Sequence, residues 1–209
     1  ANAINFRTPY QSNKDLRAGI NSQDIQYADA HLSHLAQDIR YGFYGKMNVA
    51  IIEAADVSDN GEIVLTSGVG IVATVARLAE YIIIELNSNH PKELRGIHDI
   101  YEPADPPCRR ELPIYSVRDR AGVDVLKVDP KKIVAILKSD VKNGTSPFSP
   151  SDETTMRIGQ NVADFLAREL KRGIIPASFL PIQSGVGNVA NAVLGSLGAN
   201  KDVPPFTMY

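Results

Sequence analysis

The sequence predicts an α/β fold, a layered sheet with flanking helices, and three observations carry that prediction. Short segments rich in β-branched and aliphatic residues, at 47–54, 62–66 and 81–86, alternate with amphipathic stretches at 31–41 and 70–79, the succession from which sheet-and-helix layers are built. Between the first two segments stands Asp59-Asn60-Gly61, a tight-turn signal that folds neighbouring strands into a hairpin. Near the C-terminal end, Phe179, Leu180, Pro181 and Ile182 lead into Gln183-Ser184-Gly185-Val186-Gly187 and then into a helical run of small residues. Such a turn aims backbone N–H groups at an anion or a carbonyl oxygen.

In order along the chain, residues 1–6 read as the end of a strand, and 31–41 as the first helix. The strands at 47–54, 62–66 and 81–86 are apolar enough to be buried on both faces, as parallel sheets require. In the helix at 70–79, Val72, Val75 and Leu78 recur every three residues and are expected to face the sheet. The connection at 101–113 is punctuated by prolines and carries no evident core of its own, and a further strand follows at 132–137.

Asp, Asn, Gly, Ser and Pro dominate 139–150, which is expected to be a linker between a first domain at 1–138 and a second at 151–209. Ser149 is placed to cap a helix, with Pro150 at its first position and Asp152 as the reciprocal carboxylate. Met156, Val162, Phe165, Leu166 and Leu170 give that helix one apolar face, and Lys171, Arg172 and Gly173 end it. Pro176 prevents its continuation.

Composition narrows the function. The net charge is −2, from 22 basic and 24 acidic residues that are interspersed, so neither nucleic acid nor an anionic membrane is an expected partner. Cys108 is the single cysteine; it excludes an internal disulfide and fits a reducing compartment. No run approaches the roughly 20 apolar residues that cross a bilayer, and no signal-peptide pattern opens the chain. A cytoplasmic location is expected. The abrupt start, without an initiator Met, reads as a fragment.

The candidate site is the glycine turn. Gly185 and Gly187 flank Val186, so a ligand can approach the backbone without meeting a side chain. The N–H groups of Val186, Gly187 and Asn188 are then expected at the positive end of the following helix. The same spacing also fits a tight connection with no ligand, and the residues leave both readings open. His31 and His34 mimic a metal pair at helical spacing, but no Cys or second cluster supplies further ligands. The plainer reading makes one of them a hydrogen-bonded cap.

Glu53 follows an apolar run and Glu85 and Asn87 end another, where carboxylates face either a ligand crevice or a structural partner. Ser67-Gly68-Val69-Gly70 is a second glycine turn ahead of a helix, open to contact with a ligand, with packing as the plainer reading. Gln183-Ser184-Gly185-Val186-Gly187 is not GxSxG, and no histidine follows His98, so a serine-hydrolase triad does not assemble. The turn also lacks the Gly-Lys-Ser/Thr of a nucleotide-hydrolysing loop.

The succession of motifs resembles the acetyl-CoA hydrolase/transferase family of class I CoA-transferases. The matching segments are Arg7-Thr8-Pro9-Tyr10-Gln11-Ser12, His31-Leu32-Ser33-His34, the stretch from Gly45 to Ala54, His98-Asp99-Ile100-Tyr101, Val128-Asp129-Pro130, Pro181 to Asn188, and Pro205-Phe206-Thr207-Met208-Tyr209. They are in order and span essentially the whole chain. The resemblance implies parts of two similar α/β domains with the active site between them, commonly assembled as a dimer. It implies transfer of CoA between a short-chain acyl-CoA and a carboxylate through an acyl-glutamyl anhydride and a glutamyl-CoA thioester, with no metal or redox cofactor and with coenzyme A as substrate.

By the same resemblance, Gly185, Val186, Gly187, Asn188 and Val189 line the CoA and thioester site, and the Val186 amide joins the oxyanion hole. The nucleophilic glutamate is expected just beyond Tyr209, so the 209 residues alone are expected to be inactive. Acetyl-CoA hydrolysis is the alternative within the same machinery, and a non-catalytic CoA- or phosphate-binding module is the rival from another class. Some relatives carry polar residues where this chain has Ile71, Val72 and Ala73. That difference predicts tolerance of apolar short acyl groups such as propionyl or butyryl.

Overall fold

The computed structural model of the protein describes residues 7–8, 11, 13–116, 118–144, 150–179 and 182–206. The strand end expected at 1–6 and the Ser149 cap lie outside them. Two compact units form, one from Ala1–Pro113 with Arg120–Lys142 and one from Ile114–Asp119 with Asn143–Tyr209.

In the first unit, β1 (Arg7–Thr8) pairs in parallel with β2 (Gln26–Tyr27), and α1 (Lys14–Asn21) lies between them in sequence. Asn13 caps α1 by accepting the amides of Asp15 and Leu16 at 2.9 and 3.1 Å. α2 (Leu32–Arg40) begins at His31 as expected, but His31 makes no side-chain capping bond. Its ring meets that of His34 edge to face, with centroids 5.6 Å apart. No group of three or more metal-ligating side chains occurs among the described residues.

The main sheet contains β3 (Val49–Val57), β4 (Glu62–Leu65), β5 (Tyr81–Asn87), β6 (Leu126–Lys127) and β7 (Ile133–Ser139), in the order β6-β4-β3-β5-β7. The Asp59-Asn60-Gly61 turn folds β3 and β4 into an antiparallel hairpin, and β3, β5 and β7 run parallel. The fold is therefore α/β with a mixed sheet. Gly61 is required twice over: its φ is +81°, and a Cβ there would lie 2.2 Å from the Val128 carbonyl oxygen.

α3 (Val72–Leu78) covers one face of the sheet. Ala50, Ile52, Ala54, Ile63, Leu65, Ile82 and Ile84 form the core with Ala76 and Ala79. Val72 and Val75 pack against that core as expected, whereas Leu78 does not belong to it; Ala76 and Ala79 take the contact instead. The expectation of strands buried on both faces is also corrected. Ile51 is 74% exposed, and Val49, Tyr81 and Leu137 are exposed beside it, because the described helix layer over these strands lies on the other face.

The second unit rests on α4 (Glu153–Lys171) packed against α5 (Asn188–Ala199). The cap of α4 is Asp152 itself, accepting the Thr155 amide at 2.7 Å, so the helix starts later than a Ser149 cap would place it. The Thr155 amide and hydroxyl hold the Asp152 carboxyl below its ordinary value. The C-terminal end is as expected: Gly173 has φ +70°, its N–H bonds to Leu170 C=O, and the Ile174 N–H bonds to Glu169 C=O, the paired bonds of a glycine-terminated helix.

The predicted apolar face of α4 is met in part: Leu166 and Leu170 pack against the core as expected. Gly159, Ala163 and Ala167 are buried, while Met156 and Phe165 are exposed. A Cβ at Gly159 would stand 2.5 Å from the Ala192 carbonyl oxygen and 3.0 Å from Ser196 Oγ, so small residues set the distance between the two helices. Ala163, Phe179 and Leu197 centre the remaining core, and Phe179 stacks on Phe206 with centroids 5.1 Å apart.

Candidate functional site

The glycine turn reaches its helix as the sequence predicts, with a shifted set of amides. Gly187 is the N-cap of α5, with φ +137° and ψ 171°, a conformation open to glycine and costly for other residues. The first bond of the helical ladder runs from Asn191 N–H to Gly187 C=O at 3.0 Å, which leaves the N–H groups of Asn188, Val189 and Ala190 outside it. Of the three amides expected at the helix start, Asn188 is there, Gly187 supplies the cap, and Val186 lies in the bend before it. Ala190 was missed; taking Gly187 as the cap and counting forward three residues would have found it.

No side chain caps α5, and its first turn holds no acidic residue. The Ser184 hydroxyl donates to Gly185 C=O at 3.3 Å, and the Gln183 amide donates to Ser184 C=O, so side chains of the turn engage its carbonyls. Val186 is 92% exposed, and a Cβ at Gly185 or Gly187 would meet nothing within 4 Å. Residues 183–194 contain no titratable side chain. The turn therefore offers dipoles for negative charge and no group to accept or donate a proton at neutral pH.

Several of the other candidates make structural hydrogen bonds. Glu53 lies inside β3 and not at its end; its two carboxylate oxygens accept Asn87 Nδ2 at 2.7 Å and Thr66 Oγ1 at 3.1 Å. Asn87, 1% exposed at the end of β5, also donates to Val141 C=O at 2.7 Å, so it ties the sheet to the chain leaving β7. His90 Nε2 is 3.5 Å from Glu53 Oε1. Buried His98 places Nε2 3.1 Å from Leu65 C=O, a contact that a ring N–H donates. Asp99 accepts the amides of Ala121 and Gly122 at 3.1 and 2.6 Å. The His98-Asp99-Ile100 motif thus fastens two loops together. Cys108 is exposed in the loop after Pro106 and Pro107.

Comparison with known proteins identifies the class. Residues 1–138 match the sequence model described as the acetyl-CoA hydrolase/transferase N-terminal domain. The protein belongs to that family.

Over 209 residues, all of this chain and 42% of the relative, it is 41% identical to the propanoyl-CoA:succinate CoA transferase of Escherichia coli K12. It is 41% identical to the succinyl-CoA:acetate CoA-transferase of Clostridium kluyveri over 94% of this chain and 37% of that protein. The acetyl-CoA hydrolase of Schizosaccharomyces pombe is likewise 41% identical, over 99% of this chain and 41% of its own length. The chain thus spans about two-fifths of these curated relatives.

Solved structures share the fold. A 4-hydroxybutyrate CoA-transferase from Porphyromonas gingivalis superposes with a TM-score of 0.55 at 18% identity, over 94% of this chain and 40% of that one. RipA from Yersinia pestis gives 0.56 at 17% identity, over 92% and 36%.

Proposed function

We propose that the protein acts in CoA transfer between a short-chain acyl-CoA and a carboxylate, and that Gly185, Val186, Gly187, Asn188 and Val189 form its thioester-binding turn. Gly185 is the observation that carries the reading. Neither a positive φ nor a close neighbour calls for glycine at that position, so what the missing side chain leaves is access to the backbone. Family membership and relatives named as CoA-transferases support the same conclusion.

In this reaction a glutamate carboxylate attacks the acyl carbonyl. The charge that collects on its oxygen is stabilised by the Val186 amide. The CoA thiolate leaves, attacks the glutamyl carbonyl of the resulting anhydride, and expels the free carboxylate. A glutamyl-CoA thioester remains, and an acceptor carboxylate reverses the sequence. The thioester bond is exchanged and never surrendered to water. A preorganised amide aimed at the oxyanion contributes about 3 kcal/mol to lowering the barrier. The reaction needs no metal or redox cofactor, and a cytoplasmic homodimer accommodates it.

Relatives named as acetyl-CoA hydrolases favour a second reading in which water resolves the enzyme thioester. The two are separated on the full-length protein. Incorporation of isotope-labelled acetate into acetyl-CoA marks transfer, and free CoA released without acceptor marks hydrolysis. Borohydride reduction after acyl-CoA treatment, followed by mass mapping, is expected to find one reduced glutamate; a protein with no modified glutamate would refute the covalent route and leave a binding module.

A further inference from the structure

One face of the main sheet carries side chains that nothing described matches. The β3–β5 register sets Val49 beside Tyr81, Ile51 beside Ile83 and Glu53 beside Glu85, and β7 adds Leu137 beside Glu85. These residues alternate with Ala50, Ile52, Ile82 and Ile84, which are buried in the core on the α3 side. On the other face Ile51 and Leu137 are 74% and 60% exposed, and Val49 and Tyr81 are about half exposed. Parallel strands are ordinarily covered on both faces by helices, and a bare apolar patch on a sheet is a contact surface.

The same face ends in acid. Glu53 and Glu85 stand directly opposite each other, a like-charge arrangement that destabilises a sheet. Glu53 receives the neutral donors Asn87 and Thr66, whereas Glu85 forms no hydrogen bond or ion pair among the described residues. Beside them the His90 side chain is only 10% exposed, and its Nε2, 3.5 Å from Glu53 Oε1, makes no hydrogen bond among the described residues. No described lysine or arginine pairs with either carboxylate, and the described residues hold no group of three metal-ligating side chains there.

Both features select one occupant. The apolar rows fit the apolar stripe of a helix, and the facing carboxylates with a half-buried, unpaired charge call for a basic group. The 209 residues make up 42% of the propanoyl-CoA:succinate CoA transferase that they match, so a full-length protein of that size has chain to supply it. We propose that this face docks an amphipathic helix from the part of the full-length protein outside the 209 residues, its apolar side on Ile51, Tyr81 and Leu137 and one lysine or arginine seated between Glu85 and Glu53. Glu53 lies about 7 Å along β3 from Ile51, little more than one helical turn. The basic residue therefore belongs three or four positions from the residue that covers Ile51.

The first test identifies the occupant in the full-length protein. Photo-leucine incorporated in place of leucine keeps the side-chain shape, and on irradiation its carbene inserts into whatever touches Leu137. Mass mapping is expected to find Leu137 joined, within one polypeptide, to a peptide outside the 209 residues that carries a lysine or arginine. Linkage between two copies, linkage only to residues within the 209, or no linkage at Leu137 would each overturn the proposal.

The second test reads the charge by its sign. Glu85→Gln keeps the shape and removes the negative charge. Against a docked cation, that loss should speed hydrogen exchange of the β5 amides in the full-length protein by about tenfold or more, as losing a bond to a charged group does. With only Glu53 opposite, the same substitution relieves repulsion and slows exchange. Exchange in Glu85→Gln as slow as in the wild type, or slower, would show that no basic side chain sits there.

Discussion

The closest helix contact in the second unit makes a quantitative test. Gly159 lets α4 approach α5 so far that an added methyl group would stand 2.5 Å from the Ala192 oxygen and 2.6 Å from its carbonyl carbon. Both are backbone atoms, so no side chain can swing away and the helices must separate by close to 1 Å to restore ordinary contact. Overpacking of this kind costs about 1–3 kcal/mol, and a clash with backbone belongs at the upper end. Alanine returns about 1 kcal/mol through its better helix propensity. The expected net loss for Gly159→Ala is therefore about 2 kcal/mol.

Gly195 supplies the control, because it lies exposed in α5 and a Cβ there meets nothing within 4 Å. Gly195→Ala carries only the propensity gain and should stabilise by about 1 kcal/mol. Hydrogen exchange read by mass spectrometry on peptides from α4 and α5 measures the unit locally. A 2 kcal/mol loss appears as roughly thirtyfold faster exchange of the slowest amides in Gly159→Ala, since 1.4 kcal/mol is a factor of ten. Exchange in Gly159→Ala as slow as in the wild type, or slower, would show that the two helices are not set apart by this residue.

Three further outcomes follow from the geometry. Asn87→Ala removes bonds to Glu53, Val141 and Asn89 at 2.7, 2.7 and 3.0 Å and leaves a partly buried carboxylate short of a donor; a loss of about 3 kcal/mol in urea unfolding is expected. Glu53→Gln should cost less, and equal losses in the two variants would contradict the tie. The Glu102 carboxyl lies below its ordinary value, chiefly through the bonds from Arg77 and also through Thr74 and the charge of Arg40. Its stabilising effect is therefore complete above the unfolded carboxyl's pKa and fades as pH falls through the lower folded one. The gap in urea midpoint between wild type and Glu102→Gln should shrink as pH drops below about 4.5, and a gap constant from pH 7 to pH 3 would be inconsistent with it. Gly187→Ala forces a side chain to φ +137° and should cost about 1–3 kcal/mol, with slower CoA exchange in the full-length protein. Val186→Ala should leave both unchanged, because that side chain is 92% exposed and the proposed role belongs to its amide.

The alternation of apolar and amphipathic segments made β3, β4, β5 and β7 legible, and Asp59-Asn60-Gly61 fixed the β3–β4 hairpin, because both signals are local. What could not be read is non-local. β6 is a two-residue strand, Leu126–Lys127, that exists only by pairing with β4, and nothing in its own sequence announces it. The same holds for β1 and β2, joined across α1. On α4 the sequence placed Leu166 and Leu170 correctly against the core, but Met156 and Phe165 were misassigned because they outweigh Gly159, Ala163 and Ala167 on any hydrophobicity pattern. The chosen face is instead the one that lets two backbones come close. The Arg40, Arg77, Glu102 and Asp105 cluster was equally hidden, since its members lie up to 65 residues apart.

Glycine shows why a local turn can be more legible than a fold. At Gly61 and Gly159 the reason for the residue is a neighbour: a Cβ would strike the oxygens of Val128 and Ala192 at 2.2 and 2.5 Å. Those partners are distant in sequence, so inspection of the local residues could not assign the role. Gly185 and Gly187 have no such neighbour, and only Gly187 has a backbone angle that excludes other residues. With packing removed as an explanation, conformation accounts for Gly187, and approach of a ligand is the role proposed for Gly185. The turn was readable because its reasons are local, an apolar lead-in, two glycines and a helix start. A side chain at Gly185 meets nothing within 4 Å, so Gly185→Val should unfold at wild-type urea concentration while CoA exchange by the full-length protein falls. Unchanged exchange with unchanged stability would mean that no ligand approaches the backbone there.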